Sequence, residues 1–277
     1  MYKPTHIMTL KNAVQLSDAN FEHAVLESKS IYQRKLKKLQ ERVAHIQQAY
    51  FHQGKRAIIV FEGWDASGKG GAIRRLTERM DPRGFKVVPI SAPSPDEQSR
   101  HYLYRFQKAL PQIGNVTIFD RSYYGRVLVE RIDGFASNIE WQRAYQEINE
   151  FERLLSDDGV CIIKIFLHIT SEEQLIRFQE RLHNPYKRWK ISIDDFHNRL
   201  KWKDYEVAIN DMFKKTATNI ANWNMIPANK KWFTRVQTLD IICANLERNV
   251  DIIPKPLDTK VIKAAEQMLG ITITKNK

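Results

Sequence analysis

Residues 61–71 contain a glycine-rich sequence, FEGWDASGKGG, in which Gly63 and Gly68 enclose four residues and Lys69 follows directly. Glycines at this spacing allow successive backbone N–H groups to curl around an oxyanion, and the lysine can reach the outer phosphates of a ligand. We therefore predict a phosphate-binding loop rather than a plain glycine-rich turn with a surface lysine. The predicted binding residues are Gly63, Ala66, Ser67, Gly68, Lys69, Gly70 and Gly71.

The position after this lysine lacks the hydroxyl that phosphate loops commonly use to bind Mg²⁺, because residue 70 is glycine. Ser67 stands on the wrong side of Gly68 for that role, but an acid, Asp65, lies inside the loop. A carboxylate is a hard oxygen ligand suited to Mg²⁺. We predict that Asp65 binds the metal directly or through water, with Mn²⁺ as an alternative ion. The other interpretation of Asp65 is a turn residue that caps its own backbone.

A second acid, Asp120, ends the apolar run NVTIFD. The carboxyl ends of parallel strands meet along one edge of a sheet, so Asp65 and Asp120 are both expected at a Mg²⁺–phosphate site. Guanidinium groups match phosphate oxygens two at a time, which makes Arg121 and Arg126 candidate phosphate clamps. Glu130 is a candidate for lining the acceptor pocket. A surface position or a structural Asp–Arg pair is the alternative for each arginine.

A basic segment, RFQERLHNPYKRWK at residues 177–190, follows the strongest candidate strand. Asn184 and Pro185 interrupt its helical pattern, so we predict a hinge or lid over about residues 177–215. Mobile cations stabilise the charge that spreads over a phosphoryl group during transfer. A solvated basic helix end is the alternative, and the phosphate loop favours the lid. The basic residues of the segment are Arg177, Arg181, Lys187, Arg188 and Lys190.

Short apolar segments alternate with amphipathic helical patterns, which is typical of a parallel sheet covered by helices on both faces. The predicted strands are residues 56–62, 85–91, 115–120, 159–169 and 222–228. The predicted helices are residues 18–53, 69–80, 94–110, 121–131, 139–155, a helix capped by Thr170, and residues 192–215 and 232–248. We predict one α/β domain over residues 1–277, with an N-terminal helical extension (1–54) and a C-terminal tail without assignment (255–277).

The chain has 277 residues and a formal net charge of +12 at pH 7. Such a charge favours an anionic partner, and a generally basic surface is the plain alternative. No apolar run approaches the ~20 residues that a membrane span needs, and no secretory leader is visible. The two cysteines, Cys161 and Cys243, lie in apolar runs without metal or disulfide spacing. We therefore expect a cytoplasmic protein.

Four segments, at residues 61–85, 119–131, 177–190 and 226–235, together resemble the polyphosphate kinase type 2 family. The similarity extends over about residues 17–250. It implies a P-loop kinase-like three-layer sandwich with a helical lid. It also implies Mg²⁺-dependent phosphoryl transfer between inorganic polyphosphate and AMP, ADP or ATP, with guanine nucleotides as further candidates. The chain looks most like members that convert AMP to ADP, and the family implies a homodimer or homotetramer.

The resemblance further implies roles for individual residues. Asp65 and Asp120 would hold the metal and orient the acceptor phosphate, and Lys69 would hold phosphates. Arg121 and Arg181 would stabilise the transferring group. The candidate catalytic residues are thus Asp65, Lys69, Asp120, Arg121 and Arg181. The implied contacts to the polyanion are Arg74, Arg75, Lys187, Arg188 and Lys190.

Two other functions are left open by the sequence. The loop followed by DRS also resembles thymidylate-kinase-like enzymes, so the first is an ATP-dependent nucleoside monophosphate kinase. The glycine at position 70 and the basic lid argue against it. The second is a non-enzymatic polyanion or nucleic-acid binder, but no nucleic-acid module is recognised. Asp65 and Asp120 would also repel a polyanion in the absence of a metal. We expect neither nucleic acid nor a membrane as a partner.

Overall fold

The computed structural model describes residues 3–254 and 256–272, which contain one five-stranded sheet with parallel neighbours throughout. The order of the strands across the sheet is β2-β3-β1-β4-β5. The strands are β1 (Arg56–Gly63), β2 (Phe85–Pro89), β3 (Val116–Asp120), β4 (Val160–His168) and β5 (Trp223–Pro227). The predicted α/β architecture is confirmed, and each predicted strand ends within two residues of the observed one.

Helices pack around the sheet in two groups. The helices within the described ranges are α1 (Lys29–Gln53), α2 (Lys69–Thr77), α3 (Pro95–Gln98), α4 (Tyr104–Gln107), α5 (Val129–Ile132), α6 (Asn138–Asp157), α7 (Ser171–His183), α8 (Ile193–Leu200), α9 (Trp202–Thr216), α10 (Lys231–Glu247) and α11 (Thr259–Leu269). Helices α1, α2 and α10 contact one another, and α6 contacts α9. Both α6 and α10 contact β4, so the sheet is the middle layer.

The apolar runs of β1 and β4 explain their central position. Their side chains, such as Ile59 and Ile165, are fully buried, as expected for parallel strands covered on both faces. After β1 the chain first builds the β3–β2 side of the sheet and then crosses to β4 and β5. A crevice forms at the carboxyl ends of strands where the order reverses in this way. The loop after β1 begins at that crevice.

A charged pair lies inside the core below the turn that follows β3. Lys164 and Glu152 form an ion pair at 2.8 Å, and both are fully buried. Lys164 also donates hydrogen bonds to Tyr124 Oη at 2.9 Å and to the Thr216 carbonyl at 2.7 Å. Tyr123 and Tyr124 each donate to Glu152 Oε1, at 2.9 and 2.8 Å. These bonds anchor the turn to β4, α6 and α9.

The N-terminal helix begins later than predicted. We expected helix from Asp18, but residues 19–28 are irregular and α1 begins at Lys29. Ser28 explains the boundary, because its hydroxyl accepts a hydrogen bond from the Ile31 N–H at 3.2 Å and caps the helix. The helix that follows packs on α2 and α10.

Two predicted helices are interrupted. The prediction for residues 94–110 is wrong in the middle, where the chain leaves helical geometry between α3 and α4. The predicted cap at Ser94 is present, but His101 Nδ1 accepts a hydrogen bond from the Leu103 N–H and competes with helical bonding. The single helix predicted over residues 192–215 is instead two helices, because α8 ends and α9 begins on either side of Lys201.

Two further segments differ from the sequence prediction. The region 121–131 forms a 3₁₀ turn at Tyr123–Val127, followed by α5. In the C-terminal tail, which had no assignment, Asp258 caps α11. Residue 255 and residues 273–277 of that tail lie outside the described residues. Within the described ranges, every helix is too short or too polar to cross a bilayer.

Candidate active site

The phosphate loop connects β1 to α2 and contains two glycines that the geometry requires. Gly63 has φ +144°, and a Cβ there would lie 2.4 Å from the Leu167 carbonyl oxygen, so a side chain does not fit. Gly68 has φ +106° and precedes the first turn of α2. The free N–H groups of a helix N-terminus bind phosphate. The buried hydroxyl of Ser67 has no partner among the described residues and is a further donor for an oxyanion.

Lys69 is directed back along the phosphate loop. Its Nζ donates to the carbonyl oxygens of Gly63 at 2.7 Å and Trp64 at 3.1 Å. Burial and the positive charge of Arg121 lower the pKa of Lys69, whereas Asp65 and other carboxylates act in the opposite direction. The lysine is therefore held at the loop by weak dipoles and by nearby charge. A bound phosphate would offer it a stronger partner.

Arg177 supports the loop from below and does not extend along the cleft as a free cation. Its Nη1 donates to the carbonyls of Ala66 and Ser67, both at 2.8 Å. Its Nη2 donates to the carbonyls of Ala228 at 2.7 Å and Asn229 at 3.0 Å. Sequence reasoning counted this arginine among the lid cations. The structure makes it a buried clamp between the phosphate loop and the loop after β5.

Asp65 lies at the centre of the site. Its Oδ1 accepts from Arg121 at 2.7 Å, and its Oδ2 accepts from Asn198 Nδ2 at 2.8 Å. Burial alone would raise the pKa of Asp65, but the charges of Arg121 and Lys69 outweigh it and lower the pKa below its usual value. The carboxylate is thus ionised and oriented. Sequence reasoning missed Asn198, which lies 133 positions away in the chain.

Asp120 ends β3 and faces the position where other phosphate loops carry a hydroxyl. A Cβ built on Gly70 would lie 3.9 Å from Asp120 Oδ2. The space opened by the glycine is therefore next to a carboxylate. Both Asp65 and Asp120 line the same cleft, as the positions of their strands predicted. The sequence had suggested only Asp65 as the substitute for the missing hydroxyl, but Asp120 lies beside that position.

The turn after Asp120 is held tightly to β1. Arg121 has φ +64°, and its N–H donates to the Phe61 carbonyl at 3.0 Å. The next residue, Ser122, donates its hydroxyl to Glu62 at 2.7 Å. Glu62 is buried, and burial raises its pKa. Sequence reasoning did not assign Glu62 a role, although it stands directly before the phosphate loop.

A polar cleft extends from the phosphate loop along α7 and α10. Of the predicted lid cations, all but Arg188 line it, namely Arg177, Arg181, Lys187 and Lys190. Lys231 and Arg235 of α10 line it too, and sequence reasoning had given neither a role. Some of these positive charges are paired with carboxylates in the cleft. Lys187 forms an ion pair with Glu180, and Lys231 lies 3.2 Å from the same carboxylate. Arg181 Nη1 donates to the Lys190 carbonyl at 2.6 Å, and burial lowers the pKa of Arg181.

Some predicted residues lie elsewhere. The predicted residues that do not line the cleft are Gly63, which lines an adjacent cavity instead, and Arg74, Arg75, Arg126, Glu130 and Arg188. Arg75 pairs with Glu78 at 3.2 Å, and Arg188 Nε donates to the Leu182 carbonyl at 3.0 Å. Arg75 and Arg188 are thus bound to partners that do not line the cleft.

Arg126 and Glu130 pair with each other at 3.1 Å, and burial raises the pKa of Glu130. The Arg126 guanidinium also lies 4.6 Å from the centre of the Tyr102 ring. Gly125, which precedes this arginine, lines a smaller, mostly apolar cavity. That cavity adjoins the cleft, because Asp65 and Arg121 line both. The remaining residues of the apolar cavity include Trp64, Leu128, Val129, Phe166 and Ile209.

P-loop kinases and related phosphotransferases combine a phosphate loop after a central parallel strand with a carboxylate at the end of an adjacent strand. The loop after β1 and Asp120 at the end of β3 have this arrangement, and the chain is a protein of that class. The family model described as Polyphosphate kinase 2 (PPK2) matches residues 26–252. The chain belongs to that family.

Curated relatives and solved structures agree with this assignment. The chain is 48% identical over 221 residues to a polyphosphate:AMP phosphotransferase of Pseudomonas syringae pv. tomato, covering 80% of this chain and 44% of that protein. It is 37% identical over 235 residues to an AMP/ADP-polyphosphate phosphotransferase of Meiothermus ruber, covering 85% and 86%. The crystal structure of polyphosphate kinase 2 from Arthrobacter aurescens matches with a TM-score of 0.85 at 33% identity, covering 92% and 93%. The chain thus spans less than half the length of the Pseudomonas relative.

Proposed function

We propose that this chain is a Mg²⁺-dependent phosphotransferase that moves a phosphoryl group between inorganic polyphosphate and a nucleotide, with AMP as the acceptor. The observation that carries the proposal is the cleft that joins the phosphate loop and two carboxylates to a row of cations on α7, α10 and the turn between α7 and α8. A long polyanion suits such an extended row better than a single nucleotide does. The names of the relatives support the same donor.

Asp65 and Asp120 fit a Mg²⁺ ion. In proteins this ion is commonly held by one or two carboxylates together with substrate phosphates. The described part of the chain offers no group of three or more His, Cys, Asp or Glu side chains for a metal, so substrate oxygens would complete the coordination. When bound, the ion would neutralise charge on the reacting phosphates. The lowered pKa of Asp65 keeps its carboxylate ionised for this purpose.

The chain's own residues would supply position and positive charge. Lys69 would exchange the carbonyls of Gly63 and Trp64 for phosphate oxygens of the donor. The positive charges of Arg121 and Arg181 both lower the pKa of Asp65, so both side chains lie near it. Phosphates that bind beside Asp65 would therefore lie near both arginines. The acceptor oxygen of a nucleotide phosphate is already anionic, and the transfer needs no strong base. Catalysis is then mainly positioning and electrostatic stabilisation.

AMP is proposed as the acceptor because the Pseudomonas syringae relative is named for it, whereas the Meiothermus ruber relative is named for both AMP and ADP. ADP, guanine nucleotides, Mn²⁺ and the reverse reaction are therefore arms of the same test. The proposal includes a homodimer or homotetramer, which size-exclusion chromatography with light scattering would measure. It also includes a cytoplasmic location.

The test is a set of turnover assays on the purified chain with Mg²⁺. The mixtures are polyphosphate with AMP, with ADP or with guanine nucleotides, ATP with nucleoside monophosphates, and ATP or ADP with polyphosphate for the reverse reaction. A parallel set replaces Mg²⁺ with Mn²⁺, and Lys69→Met serves as the inactive control. New ADP or ATP that requires polyphosphate supports the proposal and identifies the acceptor. Turnover with ATP as the only effective donor would indicate an ordinary nucleotide kinase. Polyphosphate binding without turnover and without dependence on Mg²⁺ would indicate a polyanion binder.

A further inference from the structure

Asp65 is held by three hydrogen bonds from three different elements. Arg121, directly after β3, donates to Oδ1 at 2.7 Å. Asn198 of α8 donates to Oδ2 at 2.8 Å. Gln174 of α7 donates to the backbone carbonyl of Asp65 at 3.1 Å. The position and the orientation of this carboxylate therefore depend on the lid helices as well as on the loop itself.

The orientation of the Asn198 amide is itself determined by a neighbour. Tyr205 of α9 donates its hydroxyl to Asn198 Oδ1 at 3.2 Å. In the opposite orientation, the amide oxygen would face the carboxylate of Asp65 and both bonds would be lost. The tyrosine thus directs the amide N–H group toward the acid.

Helix α9 is fixed against the phosphate loop by an aromatic stack. The rings of Trp202 and Trp64 lie 3.6 Å apart with an angle of 4° between their planes. Trp64 precedes Asp65 in the chain, and Trp202 stands between Asn198 and Tyr205. The stack therefore brings the amide, the hydroxyl and the carboxylate together as one unit.

We infer that Asn198 is a positioning residue for the carboxylate of Asp65. Each carboxylate oxygen has two lone pairs, and Arg121 and Asn198 each use one. The second lone pair of each oxygen stays available for a metal ion or its bound water. Outer partners of this kind hold a metal ligand in its productive orientation. The expected effect of Asn198 on kcat rests on the proposed function.

Kinetics of Asn198 variants test this inference. Asn198→Ala is expected to lower kcat by about 10–100-fold, the usual effect of losing a partner of a metal ligand. The KM for polyphosphate should stay within twofold, because the cations of the cleft are unchanged. Asn198→Asp conserves the shape but places a carboxylate against Asp65, so its kcat should be no higher than that of the alanine variant. A space-filling role alone would leave Asn198→Asp near wild type.

The matched control is His197→Ala, which changes an exposed residue on the same helix. Tyr205→Phe removes only the hydroxyl and should lower kcat in the same direction by about two- to tenfold. This second variant conserves the packing and tests the inference even where Asn198→Ala folds poorly. Thermal unfolding of each variant, followed by circular dichroism, identifies such loss of folding.

A second measurement is independent of turnover. The Kd for Mn²⁺ alone, obtained from the free-ion EPR signal, should rise about tenfold in Asn198→Ala relative to wild type and His197→Ala. A kcat and a Mn²⁺ Kd within twofold of His197→Ala would overturn the inference. If the wild-type chain shows no turnover with any donor, the proposed function fails, and the Mn²⁺ measurement still decides the role of Asn198.

Discussion

The buried ion pair of Lys164 and Glu152 predicts a large and specific loss of stability. Lys164→Met conserves most of the side-chain volume but leaves the Glu152 carboxylate inside the core with only the hydroxyls of Tyr123 and Tyr124 as donors. Removing one partner of a buried pair costs about 3–5 kcal/mol. For a chain of this size, each kcal/mol lowers Tm by about 2–4 °C, so Tm should fall by roughly 6–20 °C. Urea unfolding followed by far-UV circular dichroism measures the change in the free energy of unfolding, and thermal unfolding measures the change in Tm.

A double variant separates the cost of an unpaired buried carboxylate from the loss of the other contacts of Lys164. Lys164→Met combined with Glu152→Gln removes both charges and conserves an oxygen that accepts from the two tyrosines. It should recover at least half of the lost stability, because no unpaired charge is then buried. Lys203→Met is the matched control, since Lys203 is exposed and its pair with Glu206 should change stability by less than about 1 kcal/mol. A loss below about 1 kcal/mol in Lys164→Met would refute the reasoning.

Asp65→Asn and Asp120→Asn are each expected to lower kcat with Mg²⁺ by at least ~100-fold, because each removes charge from the proposed metal site. Turnover near the wild-type rate in either variant would exclude that residue from the site. Lys187→Ala should raise the KM for polyphosphate more than the KM for AMP, measured by varying each substrate in turn. The opposite order would place the lid over the nucleotide. Burial lowers the pKa of His168 to about 4 from about 6.5, so the unfolded chain binds more protons than the folded chain between these pH values. The contribution of neutral His168 to the free energy of unfolding should be complete above pH 6.5 and should fall by up to about 3 kcal/mol toward pH 4. Urea titrations of wild type and His168→Gln at pH 7.5 and 5 measure this, and equal pH dependence in both would contradict it.

The positions of residues defined by short consecutive patterns could be predicted from the sequence. The phosphate loop needs only glycines, a lysine and the strand and helix that flank it, and Asp120 needs only the end of an apolar run. Parallel pairing of β1 with β3 then brings both carboxylates to one edge, with Phe61 opposite Asp120 in the register. The rule that parallel strands present their carboxyl ends together was sufficient for this part of the site.

Residues whose role depends on distant partners were not predicted. Arg177 has the composition of a lid cation, but its guanidinium joins carbonyls 51 and 111 positions away. Asn198 is an ordinary polar residue in an amphipathic pattern until α8 is placed beside the phosphate loop. Lys231 and Arg235 belong to α10, which is placed beside the cleft by its contacts with α1, α2 and the sheet. A residue pattern along the sequence does not show which distant residues come into contact in the folded chain.

The left-handed backbone at Ala66 and Arg121, with φ +63° and +64°, creates a conflict between stability and activity. Such a conformation costs a residue with a side chain roughly 1–3 kcal/mol, and folding must supply that energy. Glycine would relieve the strain at either position. At residue 66 the change removes only a methyl group, whereas at residue 121 it removes the guanidinium that holds Asp65. A change to glycine is therefore tolerable at residue 66, whereas at residue 121 it would remove the group that the site needs. The chain thus retains a strained turn beside Asp65.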